Sequence, residues 1–451
     1  MNKEIKNKAA FMKYSIYNST VNLTPELKLL YNATTNTFIV CNFELIPLMK
    51  LLPAALKTQN PSFYSQLLQG GFIVDSALDE FAEMVKKAKE NCNNRGEYRL
   101  IINPTTNCNF CCHYCYEKHS PFAKMTADDV ERVKRLLSRI TDNKTMKHLH
   151  LSFFGGEPLL YYRDTVQPII DHVRSLCEER KSFNFDIHFT TNGFLVNDRL
   201  LAHLTAGREE KNFQITLDGP REQHNLVRFS TSGSGSYDRI VRNIKMLLSR
   251  GMGVSLRINY TQANASSVVD ILDDIKDIPE KDREHFNIDF QKVWQAKLSD
   301  DDNTEIDKAI AAFRKEFKYV SDHYNHVQTF QYPCYGDLVN ECVVNYNCDV
   351  YKCTARDFTP ENRLGYVSND GEVVWDDPAA VEALLNQRFV KEICKTCRIF
   401  PDCGGGCSQT ASEATGDVCY RCNSELEKDK IILARFYECV VKPAEKQKEK
   451  Q

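Results

Sequence analysis

The sequence predicts an α/β fold built on a parallel sheet, and three observations lead to this prediction. Six short segments rich in β-branched or aromatic residues occur in the middle of the chain, and helix-like segments separate them. Such alternation is typical of successive βα units. Glycine-rich or polar motifs follow several of these segments, as expected where the carboxyl ends of parallel strands gather functional residues. The predicted strands are 99–103, 148–154, 185–190, 213–218, 253–259 and 286–291.

The segment 127–140 illustrates the pattern of the connecting helices. Val130, Val133 and Leu137 recur at the spacing of one helix face. Thr126 stands directly before them as an N-cap residue. We therefore predict a helix that packs its apolar face on the sheet.

Composition restricts the class of protein. A chain of 451 residues is long enough for two or three domains, and its net charge of −3 gives no reason to expect nucleic acid as a partner. No run approaches the roughly 18 apolar residues that span a bilayer, and the polar start of the chain lacks the apolar core of a signal peptide. We therefore expect a cytoplasmic protein without a membrane partner. In a reducing cytosol, most of the 18 cysteines would be metal ligands rather than disulfides.

The most informative motif follows the first predicted strand. Cys108, Cys112 and Cys115 have the spacing C-x3-C-x2-C. Three thiolates leave a four-iron cluster one ligand short, so that one iron can bind a small chelating molecule. A zinc knuckle is the alternative, because Cys108 and Cys111, like Cys112 and Cys115, also have C-x2-C spacing. Cys111 is assigned no ligand role.

A second motif, Gly155-Gly156-Glu157-Pro158, follows the second predicted strand. Two glycines allow the backbone to approach a ligand closely. A carboxylate beside them can accept hydrogen bonds from an ammonium group. An ordinary turn is the alternative for this motif taken alone.

Together the two motifs resemble those of the radical S-adenosylmethionine (SAM) enzymes. The resemblance implies that Cys108, Cys112 and Cys115 hold a [4Fe-4S] cluster that binds SAM. It also implies that Tyr114 lies beside the adenine, and that the stretch Gly155, Gly156 and Glu157 binds the methionine amino group. The fold implied for residues 96–325 is a partial, TIM-like (β/α)6 barrel.

Two further SAM contacts are implied by the same resemblance, namely Thr216 and Arg228. An arginine suits a carboxylate because it forms charged hydrogen bonds. The neighbouring Asn192-Gly193 and Asp218-Gly219 pairs are ordinary turn chemistry. No role is assigned to Asn192, His224 or Arg257.

The C-terminal region contains the pattern C-x2-C-x5-C-x3-C and further cysteines on either side. It resembles the SPASM extension of radical SAM peptide-modifying enzymes, which holds two auxiliary [4Fe-4S] clusters, and we assign it residues 326–441. The first implied ligand set is Cys334, Cys342, Cys353 and Cys407. The second is Cys394, Cys397, Cys403 and one of Cys419 or Cys422, with Cys422 taken as the ligand. Cys348 stands where that family usually has a glycine, so it is an alternative to Cys342.

The remaining segments carry weaker signals. Residues 1–95 predict a small α+β domain with a hairpin at 29–40, which resembles a winged-helix-like peptide-recognition element. Such elements bind a leader peptide as an added strand, while a simple packing cap on the barrel is the alternative. Residues 442–451 are polar and charged, which predicts a disordered tail.

The function implied by these resemblances is maturation of a ribosomally made precursor peptide. The cluster and SAM would generate a 5′-deoxyadenosyl radical, and the product would be a thioether or other side-chain crosslink. A flavodoxin or ferredoxin would be the low-potential electron donor. The peptide sequence, the bond formed, any catalytic base and the oligomeric state are not specified by the sequence.

Two alternatives remain open. One is an anaerobic sulfatase-maturing enzyme, which converts cysteine or serine to formylglycine. Those enzymes carry an aspartate after the cysteine that matches Cys353, whereas this chain has Thr354 there and its nearest acid is Asp357. The other alternative, from a different class, is a non-catalytic zinc-binding adaptor.

Overall fold

The structure is a computed structural model that describes residues 12–93, 96–230, 233–293, 295–322, 333–419, 422 and 424–444. Its residues fall into two compact units. We call the unit of residues 94–326 and 339–381 the sheet unit, and the unit of residues 1–93, 327–338 and 382–451 the terminal unit. A compact unit can contain more than one domain, so the three predicted domain boundaries stay predictions.

The terminal unit begins with two small antiparallel sheets, one of order β2-β3-β4 and one that pairs β1 with β5. The predicted hairpin is confirmed as β3 and β4, and Asn36 in its turn has a φ of 53°. The strands are β1 Met12–Tyr14, β2 Asn18–Asn22, β3 Leu27–Asn32, β4 Thr37–Asn42 and β5 Ile73–Asp75. The α-helices here are α1 Pro53–Gln59, α2 Pro61–Gln69 and α3 Glu80–Cys92, preceded by a 3-10 helix at Phe43–Lys50.

The sheet unit is built on one mostly parallel sheet of eleven strands among the described residues. All six predicted strands are confirmed, as β6 to β11. The strands are β6 Glu97–Ile102, β7 His148–Phe153, β8 Asn184–Thr191, β9 Glu210–Leu217, β10 Gly253–Tyr260, β11 Phe286–Lys292, β12 Tyr319–Asp322, β13 Glu341–Val344, β14 Asp349–Tyr351, β15 Gly365–Val367 and β16 Val373–Trp375.

The order of these strands shows how later chain segments extend the predicted sheet. Strands β6 to β12 are parallel neighbours in sequence order. Strand β13 pairs in parallel with the free edge of β6, and β14 to β16 continue as an antiparallel meander. The sheet is consistent with a partial TIM-like barrel. The assignments of a SPASM domain and of a winged-helix-like N-terminal domain stay predictions.

Helices cover the apolar face of the sheet. The predicted helix is confirmed as α4, and Thr126 and Asp129 form a capping box at its start, which satisfies backbone N–H groups that have no partner within the helix. Helices in the sheet unit are α4 Ala127–Asp142, α5 Gln167–Glu179, α6 Asp198–Thr205, α7 Arg221–Val227, α8 Tyr237–Ser249, α9 Ile271–Ile275 and α10 Asp300–Glu316, and α11 Pro378–Asn386 follows β16. The terminal unit adds α12 Glu392–Lys395, α13 Phe400–Cys403, α14 Ser408–Glu413 and α15 Glu425–Phe436.

Side chains alternate between the two faces of the sheet, as the pleat requires. Leu151, Phe189 and Ile215 are fully buried in the core between sheet and helices. The opposite face carries polar and ionisable groups such as Gln214 and Arg257, which lie in an open pocket. This polar face leads to the carboxyl ends of the strands, where the motifs occur.

Two predictions about the chain as a whole have partial outcomes. In the tail predicted to be disordered, residues 442–444 are helical, which corrects the prediction there, and residues 445–451 lie outside the described residues. The helix continues because it follows directly on a π-helical turn at Tyr437–Val441. Among the described helices, none combines the length and the apolar character needed to cross a membrane.

Candidate iron–sulfur and SAM site

The cysteine motif lies on the loop that follows the carboxyl end of β6. Its start is fixed because the Thr105 hydroxyl donates to the Ala123 carbonyl and accepts from the Asn107 N–H at 2.9 Å. Within the loop, the Cys115 N–H donates to the Cys112 carbonyl at 3.1 Å. The three predicted thiols therefore sit on one loop whose base is held by its own hydrogen bonds.

The environment of these thiols disfavours negative charge. Burial raises the pKa of Cys108 to about 12, and it also raises the pKa values of Cys112 and Cys115. Cys112 and Cys115 add to the rise in the pKa of Cys108, and Cys115 adds to that of Cys112, because two thiolates would repel each other. Cys111 is exposed, and its N–H donates to the Phe229 carbonyl at 3.3 Å.

The two glycines of the GGEP motif serve a contact that the sequence analysis did not predict. A Cβ atom on Gly155 would lie 2.5 Å from the Thr105 carbonyl oxygen, and one on Gly156 would lie 2.3 Å from the Asn107 carbonyl oxygen. Gly155 also has a φ of 98°, which L-residues rarely adopt. The glycines thus allow the end of β7 to pack on the start of the cysteine loop. Their contact with a ligand stays a prediction.

Glu157 is fully buried, and its carboxylate joins the ends of β7 and β8. It accepts hydrogen bonds from the Thr191 hydroxyl at 2.8 Å, the Asn192 N–H at 2.8 Å and the Leu159 N–H at 2.9 Å. Burial raises the pKa of Glu157 to about 7, although these donors oppose the rise. Its predicted contact with the methionine amino group stays a prediction.

Tyr114 belongs to a hydrogen-bonded network at the ends of β9 and β10. Its hydroxyl donates to the Asp218 carboxylate at 2.7 Å and accepts from the Arg228 guanidinium at 2.7 Å and from the Asn259 amide at 3.2 Å. Arg228 and Asp218 also form an ion pair, and Asp218 is 4% exposed. Burial alone would raise the pKa of Asp218, but Arg228 and Tyr114 hold it below its usual value.

The network makes Asp218 a candidate functional residue that the sequence analysis missed. The sequence places it only in a turn, because Asp-Gly-Pro is common in turns, and no local pattern shows that its carboxylate meets Tyr114 and Arg228. His224 supports the same turn, since its Nδ1 accepts from the Asp218 N–H at 3.2 Å. His224 is fully buried, and burial lowers its pKa to about 3. Thr216 is half-buried on β9 and pairs in register with Arg257.

The segment after Cys353 lies against the cysteine loop. The Tyr116 hydroxyl donates to the Thr354 carbonyl at 2.9 Å, and the Lys118 ammonium lies 3.8 Å from the Asp357 carboxylate. Asp357 also raises the pKa of Cys115. Asp357 stands three residues after Thr354, the position of the aspartate in sulfatase-maturing enzymes. It nevertheless lies beside the cysteine loop in space.

Five of the C-terminal cysteines line one cavity in the terminal unit. They are Cys394, Cys397, Cys403, Cys419 and Cys422. The remaining wall includes Ile399 and Phe400, which are 1% exposed. Burial raises the pKa of Cys394 to about 12, and Cys397 and Cys419 raise it further. Both alternatives for the fourth ligand line the cavity, so the choice between Cys419 and Cys422 stays open.

The other predicted auxiliary set divides between the two units. Cys334 and Cys407 belong to the terminal unit, whereas Cys342 and Cys353 belong to the sheet unit, and this ligand set stays a prediction.

Cys342 and Cys348 have different surroundings within the sheet unit. The Cys342 thiol lies 3.5 Å from the Tyr98 hydroxyl, whereas the Cys348 thiol donates to the Asp129 carbonyl at 3.8 Å. Cys348 has a φ of 64°, which gives a physical reason why a glycine would suit this turn.

Comparison with known proteins identifies the domain that this site occupies. Residues 102–275 match the family model described as the radical SAM superfamily. The chain contains a radical SAM domain. The match includes the cysteine loop, the GGEP motif, Asp218 and Arg228. The match supports an enzyme that uses SAM. The alternative of a non-catalytic zinc-binding adaptor does not explain the presence of these residues.

Relatives of the radical SAM domain include enzymes with different reactions. The radical SAM cyclopropyl synthase TigE of Paramaledivibacter caminithermalis is 24% identical over 41% of this chain and 40% of its own length. The cysteine-type anaerobic sulfatase-maturating enzyme of Clostridium novyi is 30% identical over 33% of this chain and 40% of its own length. The chain thus aligns with about 40% of the length of each of these relatives.

A solved structure extends the likeness of fold beyond the radical SAM domain. The crystal structure of Streptococcus suis SuiB bound to precursor peptide SuiA has a TM-score of 0.53 with this chain, at 16% identity. The superposition covers 91% of this chain and 99% of that one. At this identity the likeness shows a shared fold.

Radical SAM enzymes use SAM and a [4Fe-4S] cluster, and the donor set of the cysteine loop fits such a cluster. Three thiols share one loop, and their raised pKa values mean that they need nearby positive charge to ionise. Iron ions supply that positive charge, and a thiol that coordinates iron therefore loses its proton.

Proposed function

We propose that this protein is a radical SAM peptide maturase that oxidatively modifies a ribosomally made peptide. The favoured product is a thioether or another side-chain crosslink. The observation that carries the proposal is the cavity lined by five cysteines in the same chain as the radical SAM domain. A second, cysteine-rich metal site suits an oxidative reaction, because it can accept the electron that leaves the substrate when a new bond closes.

Different residues of the radical SAM domain would bind the cluster and SAM. We assign Cys108, Cys112 and Cys115 to the cluster, which together with SAM supplies a 5′-deoxyadenosyl radical for abstraction of a substrate hydrogen atom. Arg228 and Tyr114 would position SAM, and Asp218 would hold both of these side chains in place through the contacts described above. The barrel would supply orientation of the substrate and exclusion of water.

In the auxiliary site, Cys394, Cys397 and Cys403 would be ligands together with Cys419 or Cys422. The apolar wall of the cavity would keep water from the cluster, and lower polarity shifts the reduction potential of an iron–sulfur centre. The other auxiliary cluster would use Cys334, Cys353 and Cys407 with Cys342. A precursor peptide is the proposed partner, which agrees in kind with the precursor peptide bound to SuiB.

Sulfatase maturation is a second candidate, and a specific observation favours it. Asp357 lies beside the cysteine loop, close to Lys118. An acid in this place suits a base that removes a proton as a substrate side chain is oxidised to an aldehyde. The relative from Clostridium novyi catalyses sulfatase maturation according to its name.

A two-step experiment tests the proposal. The anaerobically reconstituted enzyme is first assayed for 5′-deoxyadenosine with SAM and dithionite. It is then incubated with peptides encoded beside its gene and, separately, with a sulfatase-motif peptide. Loss of two hydrogens from a gene-neighbour peptide, with a crosslink located by tandem mass spectrometry, is the expected result. Conversion of the sulfatase-motif peptide to an aldehyde would establish the second candidate instead.

A matched control separates the cluster from general damage to the loop. Cys111→Ala changes a cysteine of the same loop that has no proposed ligand role, and it should retain SAM cleavage. Cys112→Ala should lose it. Equal activity of the two variants would contradict the assignment of the cluster.

A further inference from the structure

A separate group of metal-ligating side chains lies near the amino-terminal ends of β7 and β8, whereas the cysteine loop follows the carboxyl end of β6. His148 and His150 are two residues apart on β7, so their side chains leave the same face of the sheet. Asp186 on β8 pairs in register with His150. Nothing in the proposed radical reaction uses these three residues.

The three side chains converge on one point. The Nε2 atom of His148 lies 2.7 Å from Oδ2 of Asp186, and the Nδ1 atom of His150 lies 2.6 Å from the same oxygen. Hydrogen bonding alone could satisfy each imidazole with a different carboxylate oxygen. Convergence of both nitrogens on a single oxygen instead gathers three potential ligand atoms around a small volume.

We propose that His148, His150 and Asp186 bind one divalent transition-metal ion, with Zn²⁺ as the test ion. One ligand atom from each residue lies within 4.8 Å of the others. Two imidazoles and one carboxylate form a ligand set that zinc and iron(II) sites use, with positions left open for water or a further ligand. The proposal is independent of the proposed peptide maturation.

The geometry needs only a small adjustment to accept an ion. In a tetrahedral zinc site, metal–ligand bonds of about 2.1 Å place adjacent ligand atoms roughly 3.4 Å apart. Movement of the three side chains by a few tenths of an ångström would therefore replace the hydrogen bonds by metal bonds. The side chains are 32%, 26% and 22% exposed for His148, His150 and Asp186, so an ion can reach them and water can complete the coordination.

The surrounding charges favour a cation. Glu97 lies on the neighbouring strand β6, and its carboxylate is 3.5 Å from Nε2 of His150. Arg99 is the opposing charge, since it pairs in register with His150. Two carboxylates against one guanidinium leave the site with an excess of negative charge before an ion binds. Glu97 instead lies against the other ring nitrogen of His150, where it can orient that ring.

The test uses the full chain after anaerobic reconstitution with iron and sulfide, so that the cysteines are already occupied. Zinc chloride is titrated by equilibrium dialysis, and zinc and iron are both measured by elemental analysis. The variants are His148→Ala/His150→Ala and Asp186→Asn. His172→Ala is the matched control, because His172 lies on α5 and hydrogen-bonds Ser138 away from the site.

The wild type should retain about one zinc per chain, and zinc X-ray absorption should show only nitrogen and oxygen ligands. The double variant should lose this zinc, Asp186→Asn should bind it about a hundredfold more weakly, and His172→Ala should behave as the wild type. Circular dichroism and iron content check that each variant is folded. SAM cleavage, measured in the same samples, should be unchanged throughout.

Several results would overturn the inference. Zinc that persists in the double variant, zinc with sulfur ligands, or no zinc in the wild type would each mean that the three residues form only a hydrogen-bonded cluster. None of these results would change the iron content or SAM cleavage. Failure of this inference is therefore distinguishable from failure of the proposed function.

Discussion

The cysteine loop of the sheet unit and the cysteine cavity of the terminal unit are both candidate iron–sulfur sites, but they are built differently. Cys111 and Cys115 of the loop are exposed, and a polar network that includes Tyr114 lies beside it. The cavity is lined mainly by cysteine and apolar side chains, and Cys422 is only 5% exposed. The loop offers three predicted ligands beside polar groups, whereas the cavity offers five cysteines among mainly apolar side chains.

This difference indicates different tasks. A cluster with three protein ligands and polar neighbours is suited to binding a small charged molecule. A cluster that has all four ligands from protein and apolar walls is suited to electron transfer, because nothing needs to enter it. Four predictions can break or sharpen this comparison.

The largest effect on iron content and activity should come from removing the predicted cysteine ligands of the loop or of the cavity. Cys108→Ala/Cys112→Ala/Cys115→Ala should lower the iron content by about four atoms per chain and abolish 5′-deoxyadenosine formation. Cys394→Ala/Cys397→Ala should remove a similar amount of iron but leave SAM cleavage, with loss of peptide product. Iron analysis and product chromatography provide the readouts. SAM cleavage by the triple variant of the loop would contradict the assignment of SAM binding to the loop and of electron transfer to the cavity.

Asp218→Asn should have the next largest effect, because it removes the buried carboxylate of the ion pair and leaves Arg228, whose side chain is 13% exposed, without its ionic partner. Removing one member of a buried ion pair costs about 3–5 kcal/mol. We expect a rise in the KM for SAM together with lower stability, measured by SAM cleavage and by chemical denaturation.

The exposed Asp277, which pairs with Lys245 at the surface, provides the matched control for this variant. Asp277→Asn should change the free energy of unfolding by less than about 1 kcal/mol. A normal KM in Asp218→Asn would remove Asp218 from the SAM site.

Glu157 should make stability depend on pH. Burial raises its folded-state pKa to about 7, above the value near 4.5 that the unfolded chain has, so the folded state binds the proton more tightly. The stabilisation is present below pH 4.5 and is lost as pH rises through 7. Relative to Glu157→Gln, the wild type should lose about 3 kcal/mol between pH 4.5 and pH 7.5. Denaturation curves of both proteins at several pH values measure this difference, and parallel pH profiles would contradict it.

Cys348→Gly should have the smallest effect. Glycine accepts the positive φ without strain, while loss of the buried thiol removes packing, so the two effects offset each other to within about 1 kcal/mol. Iron content should equal that of the wild type, whereas Cys353→Ala should lower it. A loss of about four irons in Cys348→Gly would instead make Cys348 a ligand.

Particular residues show how far the sequence analysis reached. The six strands were predictable because β-branched residues and strand-terminal glycines mark them locally. Strands β12 to β16 were not predicted, since β13 to β16 are short and β13 joins the sheet beside β6 across more than 200 residues of intervening chain. The sequence shows only that Asp357 stands three residues after Thr354, the position of the aspartate in sulfatase-maturing enzymes. Only the fold shows that Asp357 lies near Lys118.

The sequence by itself determined the alternating α/β pattern, the radical SAM motifs and the cysteines available as ligands, because each depends on the types and spacing of nearby residues. The tertiary structure alone decided that the glycines of the GGEP motif pack against the cysteine loop, that Asp218 holds Tyr114 and Arg228, and that two histidines meet Asp186. These contacts join residues from different strands. Their formation depends on strand register and side-chain direction, which spacing along a single segment does not encode.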